Sequence, residues 1–129
     1  MGTAILAVCL GASAGALGRF GLGLLLNGVF PAIPLGTLAS NLAGCFLMGA
    51  ALYFFALRPD LDGPLRLLFC TGFLGALTTF SAFSGEVAIL LQQGRLGYAC
   101  AAVALHVGGS LLMTFLGMAA CVGVFDKPV

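Results

Sequence analysis

The chain has 129 residues, of which 61% are hydrophobic and 7% are charged, with a net charge of +1 and a mean hydropathy of +1.19. Soluble domains carry about 25% charged residues, so this composition excludes a water-soluble globular protein and predicts an integral membrane protein. The low net charge, without a basic run, gives no support to nucleic-acid binding.

Four apolar segments are long enough to cross a bilayer, which takes about 20 residues of helix. We predict an all-α membrane protein, a single domain over residues 1–129, with transmembrane helices at about 3–27, 35–57, 65–91 and 96–125. The connections are short and rich in Pro, Gly and Asn, so neighbouring helices should run antiparallel. Both termini should therefore lie on the same face of the membrane.

The first segment carries a charged residue, Arg19, near its end. One interpretation is that the long side chain reaches the membrane interface. The other is that it lies in a vestibule that concentrates anions. No Lys or Arg precedes Ala12-Ser13-Ala14, and the apolar run continues to Leu26, so we expect a retained helix rather than a cleaved signal peptide.

The second segment contains one amide side chain, Asn41. Its two N–H donors and one carbonyl acceptor suit either a hydrogen bond between helices or the binding of an anion. Small residues also recur four positions apart in the first three segments, a spacing typical of helices whose backbones pack closely in lipid. These sets are Gly11/Gly15, Ala14/Gly18, Gly36/Ser40/Gly44, Cys45/Gly49 and Gly72/Ala76.

The third segment is unusual for a membrane helix over residues 72–84, which hold two glycines and four hydroxyl side chains. Backbone polar groups in a bilayer must be satisfied within the protein, so such a run indicates a sheltered, interrupted helix of the kind in which transport proteins bind ions. Phe80 and Phe83 share one face, and aromatic ring edges carry partial positive charge that an anion could meet. Glu86 could line an opening or pair with Arg19 or Arg95.

In the fourth segment His106, Ser110 and Thr114 recur every four residues and should share one helical face. They could form a polar track for a solute. Alternatively, each hydroxyl bonds to the carbonyl four residues earlier, and His106 bonds to a neighbouring helix.

The basic residues are divided almost evenly between the two faces. Arg58, Arg66 and Lys127 belong to the face that holds the termini, and Arg95, with Arg19 according to its depth, to the other. This weak bias predicts insertion in both orientations, and hence antiparallel dimers. Because four helices enclose little space, a homo-oligomer would also provide the room for an aqueous pathway.

Three motifs, in order, carry a resemblance over essentially the whole chain: GALGRF at residues 15–20, GTLASNLAG at 36–44 and GALTTFSAFS at 75–84. With the four segments, they resemble the Fluc (CrcB) family of fluoride channels. The resemblance implies an antiparallel, dual-topology homodimer in the prokaryotic inner membrane. It also implies passive fluoride export through two pores.

The resemblance further implies roles for individual residues. Backbone carbonyls of Gly75 and Thr78 from both subunits would hold a central, structural sodium ion. Arg19 and Glu86 match the family's vestibule arginine and glutamate. Fluoride-pore residues would be Asn41, Phe80, Ser81, Phe83, His106, Ser110 and Thr114. The family's usual threonine is replaced by Ala82, so a hydroxyl is missing from the sequence between the two phenylalanines.

Two other classes of function remain open on the residues alone. A small proton-coupled multidrug carrier would need an embedded carboxylate, for which Glu86 is the candidate. A non-transporting assembly subunit would use the glycine faces and polar residues for packing only. An enzyme is not expected, because the chain has no nucleophile–base pair. Five cysteines without a C-x-x-C pair predict neither a disulfide framework nor a metal site.

Overall fold

The computed structural model describes residues 1–125, and all regular secondary structure in that part of the chain is helical. Four helices, α1 to α4, are long and apolar enough to cross a membrane: Gly2–Leu26, Leu35–Leu57, Pro64–Gln92 and Leu96–Val124. The prediction of a four-helix membrane protein is confirmed. Five of the eight helix ends lie one residue from the predicted position, and the other three coincide with it. Lys127, one of the charges compared above, lies outside the described residues.

Both of the last two helices contain a π-helical stretch, which the sequence patterns did not predict. The first covers Leu67–Leu74 in α3 and the second covers Ala104–Gly108 in α4. Such wider turns are uncommon and often occur near functional sites. The stretch in α4 contains His106, one of the predicted polar residues.

Helix α3 is interrupted by two residues with extended backbone. A helical turn at Gly75–Leu77 ends at Thr78, which has φ −83° and ψ 154°. Thr79, with φ −150° and ψ 118°, then precedes a regular α-helix over Phe80–Gln92. The two parts of α3 differ in their neighbours, because the first packs along α1 and the second mainly along α4.

Close backbone contacts hold the helices together, and glycine permits them. A Cβ atom at Gly15 of α1 would overlap the carbonyl oxygen of Phe73 in α3, and one at Gly49 of α2 would overlap that of Thr114 in α4. Small residues therefore allow the van der Waals contact on which helix association in lipid depends. At these positions the predicted small-residue faces pack within one chain.

The buried apolar residues form two clusters. One joins α2 to the first part of α3, and the other joins the second part of α3 to α4. Their members are Ala51, Phe55, Leu74 and Leu77 in the first cluster and Ile33, Leu90, Ala99 and Ala102 in the second. The interruption at Thr78 and Thr79 lies between these two clusters along α3, so the helix is packed against its neighbours on both sides of the interruption.

Candidate functional site

Asn41 holds the interruption of α3 in place. Its Oδ1 accepts a hydrogen bond from the backbone N–H of Thr79 at 2.7 Å, and its Nδ2 donates to the Thr79 carbonyl at 3.1 Å. These two bonds satisfy groups that an unbroken helix would pair internally and that lipid cannot pair. Asn41, which is buried, therefore acts between helices, as one interpretation of the sequence predicted.

Other side chains satisfy further backbone groups at the interruption. Arg19 reaches across from α1 and its Nε donates to the carbonyl of Ala76 at 3.0 Å. The hydroxyl of Thr79 accepts from the N–H of Ala82 at 3.2 Å and so caps the second part of α3. The partly buried Arg19 therefore has a structural role at the interruption.

Gly75 and Thr78 are among the residues whose carbonyl groups lose their helical donors at this point. In a continuous α-helix, Gly75 and Thr78 would accept from the N–H groups of Thr79 and Ala82. Those donors are instead directed to Asn41 and to the Thr79 hydroxyl. The carbonyl oxygens of Gly75 and Thr78 are thereby released, and carbonyl oxygen is a ligand that hard cations prefer.

Three aromatic rings meet beside the interruption. The ring centroids of Phe80 and Phe83 lie 5.4 Å apart at an interplanar angle of 70°, and those of Phe83 and His106 lie 4.7 Å apart at 24°. Phe80 is 75% exposed, whereas Phe83 is buried. The rings border a cavity of about 340 Å³, which we call the aromatic cavity; it is lined by Asn41, Cys45, Thr78, Thr79, Phe80, Phe83, His106, Val107 and Ser110.

The hydrogen-bonding pattern fixes the proton of His106. Its Nδ1 lies 3.0 Å from Nδ2 of Asn41. Because an amide nitrogen only donates, Nδ1 must accept, and the ring hydrogen resides on Nε2. Nε2 is buried and has no hydrogen-bond partner among residues 1–125. The aromatic cavity is therefore bordered by a side chain with an unused N–H donor.

The remaining predicted pore residues are placed differently from one another. Ser110 lines the aromatic cavity. Thr114 lies outside that lining, and its hydroxyl donates to the Ser110 carbonyl at 2.9 Å, the local bond that was the alternative interpretation. Ser81 is also outside it, with its Oγ 3.2 Å from that of Thr79. His106 and Ser110 therefore border the same cavity, whereas Ser81 and Thr114 do not.

A second cavity, of about 560 Å³, lies on the other side of the interruption and contains the charged residues. We call it the charged cavity; it is lined by Ala16, Arg19, Phe20, Gly23, Leu24, Asn27, Thr37, Thr79, Ala82 and Glu86. Thr79 borders both cavities. Ala82 lines the charged cavity and not the aromatic cavity. A threonine at this position would therefore place its hydroxyl beside the charged cavity.

Glu86 lines an opening, one of the predicted roles, and does not form the alternative ion pairs. Its Oε1 accepts from the Thr37 hydroxyl at 2.6 Å, and its Oε2 is buried without a hydrogen-bond partner in the described part of the chain. Within that same part, no carboxylate oxygen of Glu86 lies within 4.0 Å of Arg19 or Arg95.

Thr37 is positioned by a residue whose role the sequence patterns did not predict, Asn27. Oδ1 of Asn27, at the end of α1, accepts from the N–H groups of Gly36 at 2.8 Å and Thr37 at 3.3 Å, and so caps the start of α2. From the sequence, Asn27 was only the last residue of the first predicted helix. The available signal was the absence of any capping side chain directly before α2, where Pro34 stands.

The fold and the site define a small multi-pass membrane protein with an interrupted helix between two polar-bordered cavities. The chain belongs to the CrcB family: the family model described as "CrcB-like protein, Camphor Resistance (CrcB)" matches residues 6–118.

Named relatives extend over most of the chain. A Pseudomonas paraeruginosa protein named "Fluoride-specific ion channel FluC" is 58% identical over 118 residues, covering 92% of this chain and 93% of the relative. A Tolumonas auensis protein of the same name is 61% identical over 115 residues, covering 89% and 91%. The resemblance inferred from the three motifs is confirmed. These matches give no support to the proton-coupled carrier that would use Glu86.

Proposed function

We propose that this protein is a fluoride-selective channel, not an enzyme, through which fluoride leaves a prokaryotic cell passively across the inner membrane. The observation that carries the proposal is the aromatic cavity, where the rings of Phe80, Phe83 and His106 meet beside an interrupted helix and Nε2 of His106 has no hydrogen-bond partner among the described residues. Relatives that are more than half identical to this chain bear the name of fluoride-specific channels.

The chemistry of the cavity suits a small, strongly hydrated anion. Fluoride gives up water only where donors replace it, and here Nε2–H of His106 and the hydroxyl of Ser110 would do so. Ring edges of Phe80 and Phe83 add weaker contacts. This balance matters because conduction requires binding that is favourable enough to enter and weak enough to leave. The hydroxyls of Ser81 and Thr114 are proposed as further points on the path.

The charged cavity would serve as the vestibule. Arg19 would raise the local concentration of anions there, and Thr79 borders both this space and the aromatic cavity. Glu86, bonded to Thr37, borders the same space. Asn41 uses both of its N–H donors within the protein, so in this proposal it acts on fluoride through His106, whose donor it directs into the pathway.

A second copy of the chain, inserted in the opposite direction, would complete two pores. The exposed ring of Phe80 leaves the aromatic cavity open on one side, which a partner would cover. The charges of the α2–α3 connection are paired, Arg58 with Asp60 and Asp62 with Arg66 in the first turns of α3. The hydrogen bond from Arg58 holds the pKa of the Asp60 carboxyl below its usual value. A reporter fused to the C-terminus should appear on both sides of the membrane, and a single location would contradict dual topology.

The carbonyls of Gly75 and Thr78 fit a sodium ion at the centre of that dimer. Each subunit would contribute these oxygens, which the interruption releases from helical bonding. The ion would join the two interrupted helices and would not be transported. Sodium should therefore raise the Tm of the purified protein relative to N-methylglucamine. Equal Tm values in the two cations would contradict a sodium site.

Fluoride efflux from liposomes tests the function. Vesicles loaded with potassium fluoride and containing the purified protein should release fluoride to an ion-selective electrode when valinomycin is added, with little chloride release from matched vesicles. Protein-free vesicles are the control. An absence of ion flux would favour the assembly subunit. If pH-driven transport of an organic cation were lost in Glu86→Gln, the carrier would be the better assignment.

A further inference from the structure

One end of the bundle carries an arginine on an aromatic surface. Cζ of Arg95 lies 4.5 Å from the centroid of the Tyr98 ring. The Tyr98 ring in turn contacts Phe30, from the α1–α2 connection, with centroids 6.2 Å apart. All three residues are exposed. A guanidinium that lies over a ring is shielded on one face and presents its other side and its edges outward.

Arg95 differs from the other arginines in having no polar partner. Arg58 and Arg66 pair with Asp60 at 2.8 Å and Asp62 at 3.1 Å, and Arg19 donates to a backbone carbonyl. Within residues 1–125, the side chain of Arg95 makes no hydrogen bond or ion pair. Its N–H donors, arranged in a planar fork, are thus available to an external ligand.

The backbone fixes the position of this arginine. Gly94, with φ 68°, ends α3, and the N–H groups of Gly94 and Arg95 donate to the carbonyls of Leu91 at 3.0 Å and Leu90 at 2.9 Å. This is the pattern of a Schellman motif. The carbonyl of Arg95 then accepts from Ala99 in the first turn of α4. The side chain therefore leaves a rigid corner between two membrane-spanning helices.

We propose that Arg95, supported by Tyr98 and Phe30, binds the phosphate of an anionic phospholipid. The corner joins the ends of two membrane helices, at the level where aromatic and basic residues meet lipid headgroups. The guanidinium fork matches two oxygens of a phosphate. The proposal does not depend on fluoride transport. It requires only that the chain lies in a bilayer.

Binding of defined lipids to the purified full-length protein tests this proposal. Native mass spectrometry counts the phosphatidylglycerol and phosphatidylcholine molecules retained by each protomer. We expect phosphatidylglycerol to bind about fivefold more tightly, as one basic side chain near an anionic surface provides, and Arg95→Gln to remove that preference. Arg58→Gln, which alters an arginine already paired with Asp60, should retain it.

Substitutions at Tyr98 test the aromatic support separately. Tyr98→Phe keeps the ring and should retain the preference, whereas Tyr98→Leu should weaken it with the charge unchanged. Inorganic phosphate should not displace the lipid, because it lacks acyl chains. Wild-type selectivity in Arg95→Gln would overturn the proposal, as would equal losses in Arg95→Gln and Arg58→Gln. Displacement by inorganic phosphate would also overturn it in favour of a site for free anions.

Discussion

Replacing either phenylalanine of the aromatic cavity with isoleucine, in Phe80→Ile or Phe83→Ile, should reduce fluoride flux by about tenfold or more. Isoleucine keeps an apolar side chain but removes the ring edge, and we expect the lost contact with the anion to be of the order of that between two aromatic rings, about 0.5–1.5 kcal/mol. Loss of about 1.4 kcal/mol at a barrier corresponds to a tenfold change in rate. Fluoride efflux from liposomes measures the effect, with size-exclusion chromatography to show that the protein remains assembled.

Phe115→Ile provides the matched control for these two substitutions. Phe115 is 66% exposed on α4 and lines neither cavity, so its replacement should leave flux unchanged. Phe80 is the cleaner of the two probes, since its ring is largely exposed in the single chain. Phe83 is buried against His106, and its loss also affects packing. Flux at the wild-type level in both cavity variants would exclude an aromatic role in conduction.

The helices could be predicted from the sequence because length and hydropathy alone determine a membrane span. Residues 72–84 could also be recognised as unusual, since glycines and hydroxyls are poor choices for a helix surrounded by lipid. The predicted helix ends lie within one residue of the observed ones, owing to Pro, Gly and charged residues in the connections. These are local signals, and each can be read within one stretch of the chain.

The contacts that build the site could not be predicted in the same way. Asn41 and Thr79 are 38 residues apart and Thr37 and Glu86 are 49 apart, so no local pattern pairs them. The sequence also places Ala82 between two phenylalanines, whereas the helix turns it towards the charged cavity. The π-helical stretches at Leu67–Leu74 and Ala104–Gly108 follow no residue pattern that the sequence reveals.

Removing the amide of Asn41, in Asn41→Leu, should have the largest effect on the protein as a whole. Leucine has a similar volume but leaves the N–H of Thr79 without an acceptor and Nδ1 of His106 without a donor. A buried unsatisfied group costs about 1–3 kcal/mol, and two such groups in a membrane protein should lower the Tm markedly. We therefore expect loss of both thermal stability and fluoride flux. Ala43→Leu, at an exposed position of the same helix, is the control and should change neither.

The substitution Asn41→Asp distinguishes two roles of the amide: accepting a hydrogen bond from the backbone of Thr79 and donating one to His106. A carboxylate still accepts from the Thr79 N–H, but it cannot donate to Nδ1 of His106. The imidazole should then carry its hydrogen on Nδ1 and lose the donor on Nε2, so flux should fall in a protein that remains folded. His106 is the only histidine in the chain, and ¹⁵N spectra of histidine-labelled protein will report its tautomer directly. An unchanged Nε2–H tautomer with reduced flux would show that Asn41 acts on the anion by another route.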